Sequence, residues 1–155
     1  MVLVIGYGNP LRRDDGVGPW LVEYVSGVIP DPSIEWRTCL QLTPELAEPL
    51  SRADCAIFVD STAEGHPGQV TWNRLEVLDD MQSRGIVHHL IPQGLLTAAR
   101  FLYGACPDAY MLTVTGEDFS YGQGFSPSVQ ANLPQAIEYL SSAASTQALL
   151  HFSPE

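Results

Sequence analysis

Four consecutive apolar residues, Val2-Leu3-Val4-Ile5, give way to Gly6-Tyr7-Gly8-Asn9-Pro10, which predicts a strand covered on both faces and ending in a loop. Val17, Leu21 and Val25 then recur at helical spacing, and Pro30-Asp31-Pro32 closes that unit. A second strand is expected over 34–39. Thr43-Pro44-Glu45 signals a helix start, with Thr43 as N-cap and Pro44 in the first position. Cys55-Ala56-Ile57-Phe58-Val59 is another unbroken apolar run and predicts a third buried strand, ending at Asp60-Ser61.

Residues 68–75 read differently, because Val70, Trp72 and Arg74 alternate with Gln69, Thr71 and Asn73. This segment follows the third strand too closely for a crossover helix, so it should run antiparallel near an edge. Residues 76–87 read as a polar connection leading to His88-His89. A helix is expected over 92–103, stopped by Gly104, and a last strand over 110–114. The loop 116–124 is rich in glycine and aromatic residues, and Ser126-Pro127 opens a closing helix to about Leu140. Residues 1–145 are read as a single domain and 146–155 as a loose tail. Alternating strands and helices favour a three-layer α/β/α architecture.

With 155 residues, 45% of them hydrophobic, the chain can bury a full core without disulfides or structural metal. Acidic residues outnumber basic ones 18 to 7, for a formal charge of −11, which makes nucleic acid and anionic membrane poor partners. The chain shows neither a signal-peptide pattern nor an apolar run of membrane-spanning length, so a soluble, cytoplasmic protein is expected. Cys39, Cys55 and Cys106 stand far apart, form no C-x-x-C pair, and are expected to be buried free thiols without a role.

The candidate chemistry sits where strands end. In an open α/β sheet, ligands bind at the carboxyl ends of the strands, and Asp14-Asp15 and Asp60 are delivered there. Gly6 and Gly8 begin a dinucleotide fingerprint, but Leu11 replaces its third glycine, and two adjacent anions would repel a pyrophosphate. No nucleotide or other organic cofactor is expected. Asp14 is read as a structural residue at the N-terminal end of the next helix, and Asp15 as a functional one. Asp15, Asp60 and His88 form an oxygen-oxygen-nitrogen set suited to a borderline divalent metal such as Zn²⁺ or Ni²⁺. Read singly, Asp60 could cap a helix and either histidine could be an ordinary surface or core residue. No G-x-S-x-G elbow or cysteine in a catalytic setting is present, which disfavours covalent catalysis.

The run from Gly6 to Gly18, the apolar strand ending in Asp60, and His88 followed by Pro92 and the 95–104 segment together resemble the NiFe-hydrogenase maturation endopeptidases, over nearly the whole chain. These enzymes trim the C-terminus of the hydrogenase large subunit. Residues 41–48 and the Phe119-Ser120-Tyr121-Gly122 loop resemble the subgroup serving the bidirectional, NAD-linked hydrogenase.

The resemblance implies a five-stranded mixed sheet between helices with one antiparallel strand, of the phosphorylase/hydrolase-like kind. It also implies a trio that contacts nickel, here Asp15, Asp60 and His88, the nickel being supplied by the substrate. In part of the family the first acid is glutamate, one methylene longer than Asp15. Counting back from Pro92 and Leu95-Leu96 puts His88 in register, with His89 as the neighbouring alternative. The implied partner is the hydrogenase large-subunit precursor, and a monomer is expected.

Two mechanisms fit such a trio. The precursor's nickel could polarise the carbonyl and activate water, or Asp15 and Asp60 could share a proton as an acid pair, in the manner of aspartic-type peptidases. A protein of another class would fit it too: a non-catalytic metallochaperone holding the immature subunit. A nucleotide-binding oxidoreductase is a remote third reading. The 116–124 loop is a candidate docking element, or else an ordinary turn with Phe119 and Tyr121 tucked inward.

Overall fold

In the computed structural model, which describes residues 1–77 and 91–152, the first apolar run forms β1 (Val2–Tyr7) at the centre of the sheet. Its side chains alternate between two cores. Val2 and Val4 face one cluster with α1 (Val17–Val28) and α4 (Pro127–Leu150), and Leu3 and Ile5 face the other with α2 (Ala47–Arg52) and α3 (Pro92–Tyr103). This double burial explains why β1 carries no polar position until its end.

The strands β2 (Ile34–Cys39), β3 (Cys55–Thr62), β4 (Val70–Arg74) and β5 (Asp108–Thr115) complete a sheet of order β2-β1-β3-β5-β4. All neighbours are parallel except β4 and β5, which pair antiparallel at the edge. The expected mixed sheet with one antiparallel strand is observed. The chain leaves β1 through α1 on one face and reaches β3 through α2 on the other, so the gap between β1 and β3 is a topological switch point. Helix α1 lies close against this gap because Gly18 has no side chain: a Cβ there would stand 2.3 Å from the Val59 carbonyl oxygen.

The structure corrects several expectations. Thr43 makes no side-chain cap, and Pro44–Leu46 form a turn of 3-10 helix before α2. The third strand continues past Val59 to Thr62, since β5 still pairs with it there, so Asp60 lies within a strand and caps no helix. Helix α4 runs to Leu150, so residues 146–150 are helical and not a loose tail. The reason is a stripe of Ala136, Leu140, Ala144 and Ala148 at four-residue spacing, buried against the sheet. Cys55 is buried, but Cys39 and Cys106 are partly exposed.

Helix α3 begins with Pro92 in its first turn and stops at Gly104, which takes the left-handed conformation (φ 79°) that terminates helices. No helix among the described residues is long and apolar enough to cross a membrane. His88 and His89 lie outside the described residues.

Candidate functional site

After β1 the chain reverses over Asn9–Arg12 and enters a 3-10 turn, Arg13–Gly16. The Arg12 N–H donates to the Asn9 carbonyl (3.0 Å) and the Asp15 N–H to the Arg12 carbonyl (3.1 Å), which winds the loop back on itself. The Asp15 carboxylate thereby returns to the end of β1, where its Oδ2 accepts the Asn9 N–H at 2.7 Å. Gly8 makes this possible. Its φ is +142°, and a Cβ would fall 1.9 Å from the Asp15 carbonyl oxygen.

Asp60 comes from β3, one residue beyond the last pair with β1, Gly6↔Val59, while β5 still covers its other edge through Thr113. By strand alternation it follows Ala56 and Phe58 onto the face of α2 and α3, the face that also receives Tyr7. The Tyr7 hydroxyl is close enough to the Asp60 carboxyl to interact with it, and the Ser61 N–H donates to Asp60 Oδ1 at 2.7 Å. Ser61 turns its hydroxyl the other way, 3.4 Å from Asp15 Oδ1. Asp15 and Asp60 are thus neighbours across the β1/β3 gap, linked through one serine.

Burial pushes the Asp60 carboxyl up to about 7, the negative charge of Asp15 adds to the effect, and the hydrogen bonds from Ser61 and Tyr7 oppose it. The Tyr7 phenol is held well above its ordinary value, by burial first and then by Asp60. Near neutral pH, therefore, the Asp60 carboxyl can carry a proton. Tyr7 was not singled out in the sequence, where it resembles any aromatic residue at a strand end. The period-two alternation from Leu3 and Ile5 was the available signal.

Asp14 has a different task from the one expected. It is fully buried, and its carboxylate accepts the backbone N–H groups of Glu117 (2.8 Å), Asp118 (3.0 Å) and Ser126 (2.8 Å) and the Ser126 hydroxyl (2.7 Å). Burial favours its neutral form, but these four bonds outweigh that and hold its pKa below the usual carboxylate value. Asp14 is structural, as expected. It works by tying the 116–124 loop and the start of α4 to the site-bearing turn, not by facing the dipole of α1.

In that loop Phe119 is half-buried beneath Gly116, whereas Tyr121 is 76% exposed. Among the described residues no group of three His, Cys, Asp or Glu side chains is placed to hold a metal ion. The groove beneath Trp72 and Tyr139, between β4 and α4, shares no residue with the acids.

No family model matches the chain, and no curated protein matches it. Solved structures do. The hydrogenase maturating endopeptidase HybD from Escherichia coli shares 25% identity over 94% of this chain and 93% of its own, with a TM-score of 0.73. The hydrogenase 2 maturation peptidase from a Thaumarchaeota archaeon shares 29% identity over 93% of this chain and 97% of its own, with a TM-score of 0.71. The hydrogenase maturation protease HycI from Thermococcus kodakarensis, at 16% identity and a TM-score of 0.71, shares the fold. Over nearly its whole length, then, this chain has the fold of hydrogenase maturation endopeptidases and is similar to two of them at 25% and 29% identity.

Proposed function

We propose that this protein is a peptide hydrolase that removes the C-terminal extension of a nickel-loaded NiFe-hydrogenase large-subunit precursor. The observation that carries this reading is the pair of carboxylates, Asp15 and Asp60, held side by side at the switch point of a fold shared with such peptidases. In this reading the nickel belongs to the substrate, and Asp15, Asp60 and His88 complete its contacts. Helix α3, which follows His88 in the chain, packs on the sheet face that carries Asp60 and Tyr7.

Amide hydrolysis needs a polarised carbonyl, an activated water and a proton for the leaving amine. The precursor's nickel supplies the first of these as a Lewis acid. Asp15, whose Oδ2 accepts the Asn9 N–H, orients the attacking water and takes its proton. In the acid-pair alternative, with its carboxyl off the metal, Asp60 can hold a proton near neutrality and deliver it to the departing nitrogen, with Tyr7 beside it. Dependence on a metal carried by the substrate makes nickel insertion a checkpoint before cleavage. The Gln41–Glu48 segment and the Phe119–Gly122 loop support a bidirectional, NAD-linked hydrogenase as the source of the precursor.

The test is incubation of the purified protein with nickel-loaded and nickel-free precursor, followed by intact-mass measurement. Loss of a C-terminal peptide from the loaded form alone supports the proposal. A stable complex without cleavage supports a metallochaperone, and cleavage of both forms removes the checkpoint.

A further inference from the structure

We infer that Arg12, held over the Tyr121 ring, is a recognition element that captures a carboxylate on the partner protein while the groove bordered by its chain neighbours Leu11 and Arg13 takes an apolar side chain. This deepens the proposed function and rests on it for the partner's identity.

The guanidinium carbon of Arg12 lies 4.5 Å from the centre of the Tyr121 ring. Both residues are exposed on a chain of formal charge −11, in which cations are scarce. Arg13, Arg37, Arg52 and Arg74 each face a carboxylate at 2.7–3.6 Å, whereas Arg12 faces none among the described residues. A ring contact takes up none of the guanidinium N–H donors in a hydrogen bond to an oxygen, and their planar fork matches a carboxylate.

The pair is held on rigid backbone. Arg12 bridges to Gly122, the Gly122 N–H donates to the Leu11 carbonyl (2.8 Å), and the Arg13 N–H donates to the Gly122 carbonyl (3.2 Å). Arg12 and Tyr121 therefore meet without either loop having to order on binding, and the Arg12 carbonyl accepts the Asp15 N–H. Leu11, Arg13 and Gln123, their near neighbours in the chain, border a groove of about 560 Å³ whose other walls are mainly apolar (Pro10, Pro19, Trp20, Phe125 and Leu133) and include Glu23.

An acidic surface repels acidic partners in general, so a guanidinium that faces no carboxylate among the described residues, three positions from a candidate catalytic acid, favours a single, specific anion. The occupant that fits is an extended segment of the precursor carrying an Asp, a Glu or a terminal carboxylate next to an apolar side chain.

The experiment measures processing kinetics and, in parallel, the affinity for intact nickel-loaded precursor, for the full-length protein and for Arg12→Gln, Arg12→Lys, Tyr121→Leu and Arg52→Gln. Arg52 is an exposed helix residue distant in sequence and serves as the control for loss of one positive charge. Arg12→Gln is expected to raise KM, and weaken binding, roughly ten- to hundred-fold with kcat little changed, the pattern of a contact made equally in ground and transition states. Arg12→Lys and Tyr121→Leu should fall between it and the wild type. Arg12→Gln indistinguishable from Arg52→Gln in both measurements overturns the inference. If the wild type binds the precursor but does not cut it, the proposed activity fails and the affinities alone decide the inference. If the wild type does not bind the precursor, both are overturned. Thermal unfolding of each variant separates a recognition effect from a folding defect.

Discussion

Replacing Asp60 by asparagine removes an ionisable group while keeping the shape of the side chain, so its effects on stability and on turnover can be separated. In the folded protein this carboxyl sits at about 7 against an ordinary value of 3.8, with burial as the main cause. The folded state thus holds the proton more tightly than the unfolded chain, and Asp60 lowers stability as pH rises from about 4 through about 7. The gap corresponds to about 4 kcal/mol once both states are ionised. Partial exposure of the group reduces that figure, and the amide accepts the Ser61 N–H about 1 kcal/mol less well than the carboxylate does. Asp60→Asn should therefore be about 2 kcal/mol more stable than the wild type at about pH 8, with the difference closing towards about pH 4. Urea unfolding followed by circular dichroism across this range measures it. A variant no more stable than the wild type at the alkaline end, or a difference that does not change with pH, refutes the argument that burial and Asp15 strain this carboxyl. The same variant should lose precursor processing, and full activity would remove Asp60 from the chemistry.

Asp14→Asn should cost about 3 kcal/mol, since one neutral oxygen cannot serve three N–H donors and a hydroxyl that are wholly or partly buried. Because the folded pKa of Asp14 is depressed, its stabilisation is present above the ordinary carboxylate pKa and lost as pH falls through the folded value, so the variant should lose part of the wild type's acid sensitivity in thermal melts. Gly8→Ala should destabilise by about 3 kcal/mol or more, because a methyl group must displace the Asp15 carbonyl as well as adopt a positive φ; an unchanged melting temperature would mean that the turn is not held as described. His88→Ala should abolish processing while His89→Ala retains it, and the reverse result moves the imidazole role to His89.

The pattern of the chain alone was enough for the buried strands and for the edge strand. A strand is apolar at every position where both its faces are covered, as over residues 2–5 of β1 and 55–59 of β3, and a half-covered strand alternates, as in β4. Pro92 and Gly104 likewise marked α3 through constraints on φ that act within one residue. The run from Gly6 to Gly18 drew attention to Asp15, and the break after Val59 drew attention to Asp60, because a carboxylate after an apolar strand has few structural reasons to be there.

Pairing the two acids, tying Asp14 to Ser126 and the 116–124 loop, and bringing Tyr7 onto Asp60 were decided only in three dimensions. Each depends on partners far away in sequence: Asp14 on Ser126, Asp60 on Tyr7, Asp15 on Ser61. The length of α4 was decided in the same way, since its small stripe of alanines becomes a core only when a sheet lies beneath it. Adjacent residues limit backbone conformation, and so they are readable in order. Hydrogen bonds and burial depend on which surfaces meet, and that is known only once the whole chain has packed.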